Sequence, residues 1–265
     1  MPNSPSSRHP RGTATAQCRR AIYVAPFDEL ADPALLADLA ARAEERGWDG
    51  FFLWDHVLYR EPVRAILDPW VALAAIAVET KRVRVGPLVT PLGRRRAQKL
   101  ARETATLDLL SGGRLVFGAG LGGDAYGEFS CFGDPVDPRE LAAALDAGLE
   151  ALCGYWETFE PRPVQQPRIP VWLAARWPSR KPVRRAARWD GLFPIDLPGP
   201  EALEELVGEV AGLRDGNGAP FEWVVTNEAE VDPGPWAAAG ATWCPTGFGV
   251  SPRRTEVEAA IDAGP

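Results

Sequence analysis

The chain carries two histidines, and one of them, His56, follows the apolar run Phe51-Phe52-Leu53-Trp54 and the carboxylate of Asp55. An imidazole titrates near neutral pH, so it can take or give a proton, and a neighbouring carboxylate can raise its basicity or hold one tautomer. The run ahead of it reads as a short buried strand, which sets Asp55 and His56 at the strand's exit. The bland alternative is a histidine that bonds a backbone carbonyl. The second histidine, His9, lies in a stretch rich in Ser, Pro, Arg and Thr.

Three other stretches have types and spacing that suit ligand chemistry. In Gly86-Pro87-Leu88-Val89-Thr90-Pro91, proline lacks a ladder donor, so pairing must stop near Pro87. A bulge or a cis bond there would push Pro87, Leu88, Val89 and Thr90 toward a ligand, whereas a plain strand end would not. Gly118-Ala119-Gly120-Leu121-Gly122-Gly123 meets the G-x-G-x-x-G spacing after a strand, but at the fourth strand and ahead of a loop, unlike a dinucleotide fingerprint. Gly120 and Gly122 are read as backbone room for a flat ligand, with a tight turn as the alternative. In Ala175-Arg176-Trp177-Pro178-Ser179-Arg180-Lys181 a helix start coincides with positive charge, so Ala175, Arg176 and Ser179 are candidates for holding a phosphate. A solvated charge run is the competing reading. No cysteine or histidine spacing points to a metal site.

These stretches need elements to position them. Apolar strands read at 21–26, 50–54, 83–89, 115–119, 169–174, 191–195, 222–226 and 241–244, each followed by a helical period such as Leu141, Leu145, Leu149 and Leu152. Asp-Pro pairs at Asp32-Pro33, Asp68-Pro69, Asp137-Pro138 and Asp232-Pro233 read as helix starts, the Asp accepting a free N–H and the Pro needing none. Eight strand-helix units predict an α/β fold, a (β/α)8 TIM barrel over 21–265, with a disordered tail over 1–20. Barrels of this kind work at the C-terminal ends of their strands.

Bulk properties narrow the function. A net charge of -7 and a pI near 5.1 oppose nucleic acid as the main partner. The 46% hydrophobic and 25% charged content rules out disorder for the body. No window approaches a membrane span. Four cysteines without a paired motif fit a reduced cytoplasm. Ten tryptophans are many, and although most must be core, one or two beside a pocket would suit an aromatic ring system.

The segments GWDGFFLWDHV, RVRVGPLVTPLGRRRAQKLARETATLDLLSGGRLVFGAGLGG and IPVWLAARWPSRKPVRRAARWDGLFP resemble the luciferase-like monooxygenase family of flavin- and deazaflavin-dependent oxidoreductases. The resemblance implies a barrel that holds reduced FMN or coenzyme F420 over its strand ends and acts on a small organic substrate. It implies that His56 handles a proton with Asp55 orienting it, that a non-proline cis peptide lies near Pro87-Leu88, and that 175–179 hold the phosphate. Relatives commonly form homodimers. Two departures stand out: Gly123 occupies the place of a glutamate in the deazaflavin-dependent sugar dehydrogenases, and the connection before strand five, 156–169, is short. Rival readings are a cofactor-binding or structural relative without activity and, further off, a barrel glycoside hydrolase using Asp55 and Glu228.

Overall fold

The computed structural model describes residues 18–214 and 218–265, so the tail expected over 1–20 falls almost wholly outside the described residues. The strands are β1 (Arg19–Val24), β2 (Gly50–Leu53), β3 (Arg84–Pro87), β4 (Thr90–Pro91), β5 (Phe117–Gly120), β6 (Val171–Arg176), β7 (Gly191–Ile195), β8 (Glu222–Trp223), β9 (Asn227–Glu228) and β10 (Trp243–Gly247). The helices are α1 (Pro33–Glu45), α2 (Pro69–Glu79), α3 (Ala97–Ser111), α4 (Pro138–Thr158), α5 (Arg180–Ala186), α6 (Pro200–Leu213), α7 (Gly234–Ala238) and α8 (Arg254–Ala263).

All strand pairs are parallel and form two arcs, β3-β2-β1-β10-β9 and β4-β5-β6-β7-β8. Parallel bridges Val85↔Leu115 and Val224↔Trp243 join the arcs at both seams. The third stave is broken into β3 and β4, and the seventh into β8 and β9, so the ten strands make the eight staves of the expected (β/α)8 barrel.

Alternation along each strand divides the core. Ala21, Tyr23, Phe52, Trp172, Phe193 and Trp243 belong to the cluster that fills the barrel, while Ile22, Val24, Phe51 and Leu53 pack with the helices. Strands apolar on both faces are what a sheet covered by helices requires, and each large side chain so buried contributes about 1.5–3 kcal/mol. Three Asp-Pro starts behave as expected: Asp32 accepts from Ala34 N–H at 2.8 Å, Asp68 from Val71 N–H at 3.0 Å, and Asp137 from Arg139 N–H at 2.7 Å. The fourth differs: Asp232 likewise accepts from the N–H two residues on, that of Gly234 at 2.8 Å, but the N-cap of the five-residue helix that follows is Pro233, which makes no side-chain cap bond.

The proline-rich connection before β6 is stapled to α3. Buried Asp108 accepts from Val164 N–H at 2.8 Å, from Gln165 N–H at 3.1 Å and from the Gln165 amide at 2.7 Å. A short connection can therefore hold its course without a strand of its own.

Candidate active site

His56 stands where expected, just past β2, whose last rung is Trp54 N–H donating to Val24 O at 3.0 Å. Its carboxylate partner is not its neighbour. His56 Nδ1 lies 2.8 Å from Glu128 Oε2, and the other oxygen of Glu128 accepts from Val57 N–H at 3.0 Å and from Arg94 Nη1 at 2.7 Å. The Glu128 side chain is 5% exposed and that of His56 26%, so the carboxylate is sealed beneath an imidazole that still meets solvent. Burial pushes the Glu128 carboxyl up, but His56, the Val57 N–H and Arg94 outweigh it and hold it below the usual range.

Asp55 is sealed more completely and faces the other way. Its carboxylate accepts from the Thr90 hydroxyl at 2.7 Å, from Arg94 Nη2 at 2.7 Å and from Arg95 Nη2 at 2.9 Å to both oxygens. The direct Asp55-to-His56 pairing expected from sequence is thus replaced by a chain of three contacts, Asp55 to Arg94 to Glu128 to His56. The reason lies in strand geometry: adjacent residues at a strand exit point to opposite sides, so the nearest carboxylate in sequence need not be nearest in space. Two carboxylates and two guanidiniums balance, which is what buried ions need.

Glu128, Arg94 and Arg95 escaped the sequence reading. The two arginines carried a faint signal, a run of three basic residues, Arg94 to Arg96, that begins after Leu92-Gly93, just past Thr90-Pro91. Glu128 carried none, since it sits in a loop without periodicity. What places it is Asp124, which accepts from Phe129 N–H at 2.8 Å and Ser130 N–H at 3.0 Å; these bonds with Ser130 and Phe129 hold its carboxyl below the ordinary range.

The third stave has the break that Pro87 foretold, and the cis peptide is Leu88-Val89, one bond beyond the expected place. Tyr23 OH donates to Leu88 O at 2.5 Å, and burial pushes its phenol well above the ordinary value. The glycine run explains how the kink fits. A Cβ on Gly118 would lie 2.1 Å from Pro87 O, one on Gly120 2.7 Å from a Val89 methyl, and one on Gly122 2.7 Å from Pro91 and 2.8 Å from Phe129. A side chain at Gly118, Gly120 or Gly122 would therefore meet the protein's own residues, so the kinked third stave packs against the glycine run only because these positions lack a Cβ.

Aromatic rings surround His56. Ring centroids lie 5.1 Å away for Tyr59, 5.8 Å for Trp54 and 6.0 Å for Phe27, and Tyr59 lies 4.3 Å from Tyr126. Burial and Tyr126 push the Tyr59 phenol up to about 12. The indole N–H of Trp54 is buried with no partner among the described residues.

The opposite side of the rim is looser. Ala175 is buried at the end of β6, but Arg176 is exposed and ion-paired with Asp196, and the Ser179 side chain makes no cap bond to the seven-residue α5. Arg180 pairs with Glu205 at 2.8 Å. Much of the positive cluster is thus balanced by acids at the surface. A cavity of about 840 Å³ lies elsewhere, on the barrel's outer flank between α8 and 228–232, and Glu228 lines it. With Asp55 committed to Thr90 and two arginines, the carboxylate pair of a glycoside hydrolase is not assembled.

The profile of the luciferase-like monooxygenase family matches residues 7–232, and the chain belongs to that family. It is 32% identical over 180 residues to the F420-dependent glucose-6-phosphate dehydrogenase of Kineococcus radiotolerans, covering 59% of this chain and 51% of that protein. It is 30% identical over 162 residues to the oxygenase component of the flavin-dependent trigonelline monooxygenase of Acinetobacter baylyi, covering 53% and 43%. The chain thus spans about half the length of these curated relatives. In fold it is similar to the coenzyme F420 dependent tetrahydromethanopterin reductase of Methanopyrus kandleri, with a TM-score of 0.71, 18% identity and coverage of 93% of this chain and 97% of that one.

Proposed function

We propose that this chain is an oxidoreductase that binds reduced FMN or coenzyme F420 at the C-terminal rim of the barrel and acts on a small organic substrate. The observation that carries the reading is a half-exposed imidazole at a strand end, backed by a buried, ion-paired carboxylate and ringed by aromatic side chains. The residues fit such a guest: the buried Trp54 indole N–H, which has no partner among the described residues, lies beside His56, and aromatic faces suit a flat ring. When bound, F420 would supply hydride transfer, and reduced FMN would supply hydride transfer or oxygen activation. The protein's part is to position and to move a proton. His56 handles that proton, Pro87, Leu88, Val89 and Thr90 shape the ring site, and Ala175, Arg176 and Ser179 hold the phosphate. We place the enzyme in the cytoplasm as a homodimer; no helix among the described residues is long and apolar enough to cross a membrane.

Titrating the protein separately with FMN and with F420, while following tryptophan fluorescence, tests the reading and separates the two cofactors. Saturable quenching by either supports it. Silence to both would favour the non-catalytic relative, a reading that Gly123 and the short connection over 156–169 also suit. For the proton role, His56→Gln should lower turnover and remove the limb of the pH-rate profile that reports the imidazole; an unchanged profile would reject His56.

A further inference from the structure

We infer that Glu128 is the positioning residue that fixes the His56 ring: anchored by Arg94 and the Val57 N–H, its carboxylate takes the Nδ1 proton and leaves Nε2 as the nitrogen that exchanges a proton. The role of Nε2 in turnover rests on the redox reading above. The fixing of the ring does not.

Three observations carry this. Glu128 Oε2 lies 2.8 Å from His56 Nδ1, a hydrogen-bond distance. An ionised carboxylate can only accept, so a neutral imidazole must present N–H at that position. Second, the carboxylate cannot turn away, because Oε1 is held by two donors, Val57 N–H at 3.0 Å and Arg94 Nη1 at 2.7 Å. Third, the other acid within reach is occupied: Asp55 takes donors from Thr90, Arg94 and Arg95. The remaining ionisable groups about the ring are Tyr59 and Arg60 on the loop after β2, and Asp124 and Tyr126 on the loop of Glu128. Asp124 is committed to the backbone of its own loop. The ring therefore has one fixed nitrogen and one left to exchange, as an acid-base group that must present the same atom in every turnover requires.

Replacing Glu128 by Gln makes a sharp test, because Gln has one acceptor oxygen where Glu128 uses two. Two donors at the Oε1 position, against one at Oε2, turn the amide oxygen toward Val57 and Arg94 and the amide N–H toward His56. Nδ1 must then accept, and the proton moves to Nε2. The chain has two histidines, so the spectrum of ¹⁵N-histidine-labelled, cofactor-free protein is assigned by comparison with His56→Gln. In alkaline buffer the unaltered protein should show His56 in the Nδ1–H form, and Glu128→Gln should shift the tautomer ratio by about tenfold or more toward Nε2–H. An unaltered protein in the Nε2–H form, or a folded Glu128→Gln with the ratio unchanged, overturns the inference. If Glu128→Gln fails to fold, the unaltered spectrum alone decides. The measurement needs no cofactor, so a protein that binds neither FMN nor F420 would remove the redox reading while leaving this one intact.

Discussion

Around His56 the charges are sealed: the side chains of Asp55, Arg94, Glu128 and Arg95 are 0%, 5%, 5% and 16% exposed and share their hydrogen bonds. Across the rim, Arg176 and Asp196 pair at 68% and 59% exposure beside a helix of seven residues. Both regions are rich in arginine, yet they differ in what a substitution costs. Buried ions depend on every partner, because an orphaned charge cannot find water. Exposed pairs exchange a partner for solvent at little cost. The side proposed to move a proton is pre-organised by folding, and the side proposed for the phosphate keeps its charges near water, where an incoming anion would have only Asp196 to displace.

That contrast can be broken by experiment. The largest effect belongs to Asp55→Ala, which leaves Arg94 and Arg95 facing an empty place and should destabilise the protein by about 3–5 kcal/mol in urea unfolding. A loss below about 1 kcal/mol would mean that water reaches the network. Gly118→Ala comes next. Its Cβ meets a backbone carbonyl at 2.1 Å, so β5 or the third stave must move, costing about 1–3 kcal/mol by the same measurement. If Gly118→Ala is neutral, the close fit between the glycine run and the kink is wrong.

A pH series addresses the Glu128 end. Its carboxyl is held below 4.5 in the folded chain, so its stabilising contribution is fully present above 4.5 and disappears as pH falls through the depressed folded value. Urea midpoints between pH 6 and pH 3 should therefore fall more steeply for the unaltered protein than for Glu128→Gln. Parallel curves would remove Glu128 from the acid-sensitive groups. The smallest stability effect is expected at Arg176→Ala, within about 0.5 kcal/mol, because the pair it breaks is solvated. Affinity for FMN or F420 should nonetheless drop by about tenfold, read by fluorescence titration. Unchanged affinity would move the phosphate away from Arg176.

Much of the barrel could be read before any coordinates. Short apolar strands and leucine periods placed the eight units, and three of the four Asp-Pro pairs cap their helices. The weakest readings came where periodicity is short. The seventh stave, read as 222–226, is two strands of two residues, and the first begins at Arg19 instead of residue 21. The break just past Pro87 was legible because proline has no N–H to give the ladder, but its match to Gly118 and Gly120 was not, since that is a contact between neighbouring staves.

Sequence by itself determined the succession of strands and helices, the exit position of His56 and the interruption at Pro87, because each follows from local periodicity or from what one residue type cannot do. Tertiary structure alone decided which acid serves the imidazole. Asp55 is adjacent along the chain and Glu128 lies 72 residues on, yet the strand exit turns Asp55 toward Thr90 and the two arginines while the loop capped by Asp124 brings Glu128 to Nδ1. Hydrogen bonds respond to separation and direction in space, and a linear order of residues records neither.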